Sequence, residues 1–165
     1  MSEKYFNEQT AVGDVAEKSF EASLRHFLPG KNIVYRWVDP RDLFERKKYD
    51  VGVTIYNIGG DAIDYPEFLV EIKNDVRSLS PPYNFGVEFK HYNAPSGIVT
   101  TESEYWVILS GDAFHWFLTE ELRRFALDET KNWREYRSDH GNTIKLIPIV
   151  EMANIEKYTM KKYLK

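Results

Sequence analysis

The run Phe68-Leu69-Val70-Glu71-Ile72-Lys73 constrains what this chain can fold into more than any other segment. Its apolar residues continue straight into two charged ones, so it reads as a strand buried on both sides that then presents an acid and a lysine where burial would continue. Such a strand needs neighbours. The segment before it, 49–56, is rich in β-branched and aromatic residues and stops at Asn57-Ile58-Gly59-Gly60-Asp61, which predicts an adjacent strand joined to it by a glycine-containing loop.

The rest of the chain supplies layers to cover that pair. Val12, Val15, Ala16, Phe20, Leu24 and Phe27 recur near helical spacing and Pro29-Gly30 ends the run, so 12–28 is predicted as an amphipathic helix. Residues 33–38 alternate like a short strand, and 41–48 form a charged connection or helical turn. Residues 85–89 read as a strand broken at Asn93, and 105–110 with 114–118 read as a hairpin through Gly111-Asp112. A helix is expected over 120–128, capped by Thr119. A turn at 139–142, a strand over 143–150 and a closing helix over 155–164 complete the chain. There is no internal repeat and no low-complexity linker, so the 165 residues predict one domain, 1–165, of the α/β or α+β class: a central mixed sheet flanked by helices.

Composition narrows the chemistry. Cysteine is absent, which excludes thiolate nucleophiles, cysteine-type zinc sites and iron–sulfur clusters, so any metal must sit on oxygen or imidazole. His26, His91, His115 and His140 show no metal-ligand spacing. Gly59-Gly60 lacks the Lys-Ser/Thr of a nucleotide loop, and no Gly-x-Ser-x-Gly elbow occurs. The longest apolar stretches are strand-sized and the N-terminus has no basic-then-apolar pattern, so a cytoplasmic protein without membrane spans is expected. The net charge of −4 argues on its face against a nucleic-acid partner. A carboxylate site that holds a divalent metal is itself acidic, however, and the ion then supplies the positive charge that a phosphate meets. Basic residues cluster at Arg41, Arg46, Lys47 and Lys48, and again at Lys157, Lys161, Lys162 and Lys165; a solvated helical face is the plain reading of both.

An acid, any residue and then Lys within a strand put both side chains on one face, roughly 6–7 Å apart. A carboxylate there can hold Mg²⁺ while the ammonium reaches a water or a phosphate. The spacing occurs four times: Glu45-Arg46-Lys47, Glu71-Ile72-Lys73, Glu88-Phe89-Lys90 and Glu129-Thr130-Lys131. The first and last lie in charged segments where solvent exposure accounts for them. Glu88-Phe89-Lys90 competes, because Val87 and Phe89 fall on the opposite face, but no acid as clear as Asp50 heads a neighbouring strand. Asp50 stands twenty-one residues before Glu71, at the head of the preceding strand. If the two strands pair, Asp50 meets Glu71 and Lys73 at one end of the sheet.

Asp50 with Glu71-Ile72-Lys73 resembles the PD-(D/E)XK nuclease superfamily. The resemblance extends through Phe68 to Asp75, Asn84-Phe85-Gly86-Val87-Glu88, Ser96-Gly97-Ile98-Val99-Thr100-Thr101 and Tyr105-Trp106-Val107, a pattern similar to small, mostly phage and bacterial members, and it covers 50–109. Tyr49 stands where the family has Pro. The resemblance implies a restriction-endonuclease-like core, with Asp50, Glu71 and the Ile72 carbonyl as metal ligands and Lys73 orienting or activating water. It implies Glu17 as an auxiliary acid, with Glu21 one turn later as its substitute, and Asp75, Asn84, Glu88 and Thr101 lining the site or touching substrate. The implied activity is a Mg²⁺-dependent DNA endonuclease, Mn²⁺ able to substitute, acting as a homodimer when both strands are cut. Segments 41–48 and 74–83 would then approach the DNA backbone. The alternative is a nuclease-like fold that no longer cuts and serves as a nucleic-acid-binding or protein-interaction module. A metal-free structural domain would follow if Asp50 and Glu71 faced opposite sides of the sheet.

Overall fold

The computed structural model describes residues 3–39, 41, 42, 44, 48–57 and 63–163. Glu45, Arg46 and Lys47, the Gly59-Gly60 turn, and Leu164 and Lys165 lie outside the described residues. In chain order the elements are helix α1 (Glu3–Phe27), strands β1 (Lys31–Trp37), β2 (Val51–Asn57), β3 (Ile63–Asn74), β4 (Asn84–His91), β5 (Ala94–Pro95), β6 (Tyr105–Ser110) and β7 (Ala113–Leu118), helix α2 (Thr119–Ala126), strands β8 (Arg134–Arg137) and β9 (Asn142–Pro148), a single turn of helix α3 (Ile149–Met152), and strand β10 (Glu156–Lys161). The fold is mixed α+β. A six-stranded sheet runs β1-β2-β3-β6-β7-β10, and a separate four-stranded sheet runs β5-β4-β9-β8. Every pair is antiparallel except β3 with β6.

Burial explains why β3 sits inside the larger sheet. Val51, Val53 and Ile55 of β2, Val70 and Ile72 of β3, and Val107 and Leu109 of β6 alternate onto one face, where Ala16, Phe20 and Leu24 of α1 cover them. Phe20 lies edge-on to Phe114 at 5.8 Å and against Trp116 at 5.4 Å. The other face carries Trp106, Ile108 and Phe117 into a second cluster with Phe85, Val87, Phe89, Ile147 and Leu122. The two sheets and α2 close over that cluster. Both sides of β3 and β6 are therefore covered, as the unbroken apolar run requires.

Several expectations need correcting. The final segment is strand β10 rather than a helix. Its Tyr158, Thr159 and Met160 pair with Trp116, His115 and Phe114, and the open edge of β7 supplies a ladder that outweighs a weak helical periodicity. Thr119 does not cap α2 but forms its first residue, with Leu118 as the N-cap, and its hydroxyl lies 3.2 Å from that of Ser103. Helix α1 begins at Glu3, not at 12, and Val15 and Phe27 lie on its exposed side. The expected single central sheet is two sheets.

Phe20 fills the contact between α1 and the sheet with no exposed surface, whereas Val15 is half exposed on the same helix. Phe20→Ala is expected to lower unfolding free energy by about 3–5 kcal/mol, and Val15→Ala by no more than about 0.5 kcal/mol. Urea denaturation of the two variants at constant slope checks this.

Candidate active site at the ends of β2 and β3

The ladder between β2 and β3 pairs Val51 with Val70. One step further along the same register, Asp50 falls opposite Glu71. Directly opposed residues share a face, so the two carboxylates stand side by side, and the reading in which they face opposite sides of the sheet is overturned. Three hydrogen bonds hold Asp50 there: its N–H donates to Val70 O at 2.9 Å, its carbonyl accepts from the Val38 N–H at 3.0 Å, and its Oδ2 accepts from the Ile72 N–H at 2.6 Å. Tyr49, just before Asp50, is buried and anchors the approach. Its hydroxyl accepts from Arg36 Nη1 at 2.6 Å, while Arg36 clamps Glu67 through two further bonds.

Electrostatics here set two neighbouring carboxylates against one lysine. Glu71 is only 6 % exposed and its carboxylate pairs with the Lys73 ammonium. Burial, followed by the neighbouring Glu71 charge, pushes the Asp50 carboxyl up to about 7, against the opposing pull of Lys73 and the Ile72 N–H. For Lys73, burial disfavours the ammonium, but Glu71 and then Asp50 outweigh it and hold the group above its ordinary range. The Lys73 Nζ also lies 5.3 Å from the centre of the Trp106 ring. Trp106 faces Glu71 in the parallel β3–β6 register, and among the described residues its buried Nε1 finds no hydrogen-bond partner.

Other residues named by the sequence separate into those near this centre and those that brace it. Glu17 on α1 contributes to the negative field at Asp50, whereas the Glu21 carboxylate accepts from Trp37 Nε1 at 3.0 Å. Asp75 ties the two sheets together. Its Oδ2 accepts from the Gly86 N–H at 2.7 Å and its Oδ1 from the Ser78 N–H at 3.3 Å. Two residues back from that tether is Lys73 and two residues on is Glu88, and the Glu88 charge acts on Lys73. Asn84 begins β4, in the alternation shared with Gly86 and Glu88. Thr101 is buried, and its hydroxyl donates to Lys48 O at 2.6 Å and lies 2.9 Å from Ser103 Oγ. Thr101 thereby braces the chain two residues before Asp50.

Two contributors, Ser96 and Arg123, are given no role by the sequence. Ser96 donates to Glu88 Oε1 at 2.7 Å, orienting that carboxylate. The turn that brings Ser96 there requires Gly97, whose φ is +54° and where an added Cβ would collide with Glu88 O. Arg123 of α2 holds the same segment by donating to Ile98 O and Thr101 O. The short β4–β5 hairpin folds Ser96 back onto Glu88, and α2 brings Arg123 to the carbonyls of Ile98 and Thr101. Trp106 reads from sequence as an ordinary core aromatic.

A divalent ion fits the donors present. Among the described residues no three His, Cys, Asp or Glu side chains converge as a ligand set, so the side-chain donors are the two carboxylates of Asp50 and Glu71. The N–H and C=O of a strand residue leave on the same edge. Because the Ile72 N–H reaches Asp50, the Ile72 carbonyl points to that edge too, beyond the end of β2. Two carboxylates and a carbonyl, with waters completing the shell, are the hard-oxygen set that Mg²⁺ or Mn²⁺ takes.

Comparison of the chain with protein-family models, with curated proteins and with solved structures returned no match. Among the described residues no helix is long and apolar enough to cross a membrane.

The raised Asp50 carboxyl predicts a linked effect on stability. The folded protein holds this proton more tightly than the unfolded chain, so its contribution is full below about pH 4 and is lost as pH rises through about 7. Asp50→Asn removes the charge and preserves an oxygen for the Ile72 N–H. In EDTA at pH 8 the variant is expected to be more stable than wild type by on the order of 2 kcal/mol, and the advantage should shrink at pH 5. Thermal unfolding at the two pH values checks the sign.

Proposed function

We propose that this protein is a divalent-metal-dependent DNA endonuclease of the PD-(D/E)XK type, built on a restriction-endonuclease-like core. One observation carries the reading: Asp50 and Glu71 stand opposite each other at the end of a strand pair, with Lys73 on the same face and ion-paired to Glu71. A structural ion pair needs one acid, and the second carboxylate destabilises it. A buried carboxylate and a half-buried one beside a single lysine make sense as a site whose charge balance is completed by a ligand.

When bound between Asp50, Glu71 and the Ile72 carbonyl, Mg²⁺ would polarise the scissile phosphate and lower the pKa of a coordinated water. The chain's own groups do the remaining work. Asp50 is oriented by the Ile72 N–H and Glu71 by its place in the ladder, so neither needs reorganising for the reaction. Lys73 is a cation at neutral pH, able to leave Glu71 for the attacking water or for the negative charge that develops on the phosphoryl oxygens. The Trp106 ring below its Nζ keeps the ammonium within reach of both. Glu17 extends the acidic rim from the helix side. Glu88 acts on the same centre from the second sheet through its charge on Lys73. A cytoplasmic location, and action as a homodimer when both strands of a duplex are cut, belong to the same reading.

Supercoiled plasmid incubated with Mg²⁺, with Mn²⁺ or with EDTA tests it. Nicking is expected with either metal and none with EDTA. Lys73→Ala and Asp50→Asn are each expected to slow the reaction about 10²–10³-fold. No cleavage in any condition, or equal cleavage by all three proteins, would sink the proposal and leave the acid cluster without a catalytic role.

A further inference from the structure

The hairpin from β4 to β5 turns in two residues, Tyr92 and Asn93, since His91 pairs with Ala94. Such tight turns favour Gly, Asn or Asp at positions of positive φ. Here the first position is Tyr92, with φ +53° and its side chain 58 % exposed. A bulky residue in the left-handed region is a genuine outlier, and neither core packing nor turn chemistry asks for it.

The surroundings form a seat for the ring. Gly141, at φ +84° in the turn before β9, lies directly beneath it: an added Cβ there would stand 2.7–2.9 Å from three of the Tyr92 ring carbons. The Tyr92 N–H donates to Gly141 O at 2.6 Å, locking the two turns together. His91 meets the ring edge-on at 4.7 Å and is itself held at 2.5 Å by Asn142 Oδ1. One face of the phenol therefore rests on glycine backbone and the other is left to solvent. Lys90 precedes the platform, and Arg137 lies in the same cross-strand row through Thr143.

We propose that Tyr92 is a stacking platform for an unpaired base of single-stranded DNA, with Lys90 and, two strands over in the same cross-strand row, Arg137 to meet neighbouring phosphates. Stacking on an exposed aromatic is tolerant of base identity, and a flanking cation suits the backbone. The assignment rests on the nuclease reading for its ligand class, and its test is separable from that reading.

The test measures equilibrium binding of a short fluorescein-labelled oligothymidylate and of a blunt duplex of equal length, with Ca²⁺ in place of Mg²⁺, for wild type, Tyr92→Phe, Tyr92→Leu and Tyr92→Gly. Tyr92→Phe should match wild type. Tyr92→Leu keeps an apolar cover over Gly141 but should bind oligothymidylate about tenfold more weakly, with duplex binding unchanged. Tyr92→Gly relieves the backbone, so it should lose the same binding with no fall in thermal midpoint, which a merely structural role for the ring would not produce. Equal oligothymidylate binding by all four proteins would overturn the platform while plasmid nicking still stands. Tyr92-dependent binding by a protein that cuts nothing would support the platform and sink the nuclease. Wild type binding neither probe would overturn the platform.

Discussion

The antiparallel register of β2 on β3 is the constraint on which the rest of this structure depends. Pairing Val51 with Val70 sends one set of side chains toward α1 and leaves Asp50 opposite Glu71 on the far face. A slip of one residue would turn the hydrophobic set to the wrong side and separate the two acids. The register is pinned from several directions. Val51, Val53, Val70 and Ile72 are buried against α1, Arg36 bridges Glu67 and Tyr49, and Asp50 closes the ladder through Val70 and Ile72. The apolar core that makes the fold stable is thus also what holds two like charges together.

That arrangement is costly in the absence of a ligand. A buried carboxylate beside another carboxylate resists ionising, and one lysine cannot satisfy both. The second sheet reduces the remaining freedom without removing the strain. Asp75 ties Gly86 to the end of β3, and Gly97 lets Ser96 reach Glu88. The site is assembled from the end of one sheet and the flank of another, with the rigid strands fixing positions and the 93–101 segment setting orientation.

The strand pair at the centre was legible in the sequence because an apolar run ending in Glu71-Ile72-Lys73 marks both a buried strand and the face on which its charges stand. The hairpin of β6 and β7 was legible from Gly111-Asp112 between two aromatic-rich runs. Four features were not. The segment 156–161 is short and half exposed, so its periodicity is ambiguous until the free edge of β7 recruits it. The splitting of the strands into two sheets depends on which faces meet, and that is a property of packing between distant segments. The link from Glu88 to Lys73 passes through the Asp75–Gly86 bond, so neither residue's neighbours in the chain reveal it. The seat under Tyr92 likewise joins turns far apart in sequence, with Gly141 beneath the ring.

The most direct measurement of the proposed metal centre is anomalous diffraction from a crystal of the protein soaked in Mn²⁺. One strong peak is expected between the Asp50 and Glu71 carboxylates, in contact with the Ile72 carbonyl, with the Lys73 ammonium displaced from Glu71. A crystal that takes up no manganese there, or takes it up elsewhere while Lys73 stays paired with Glu71, would contradict it.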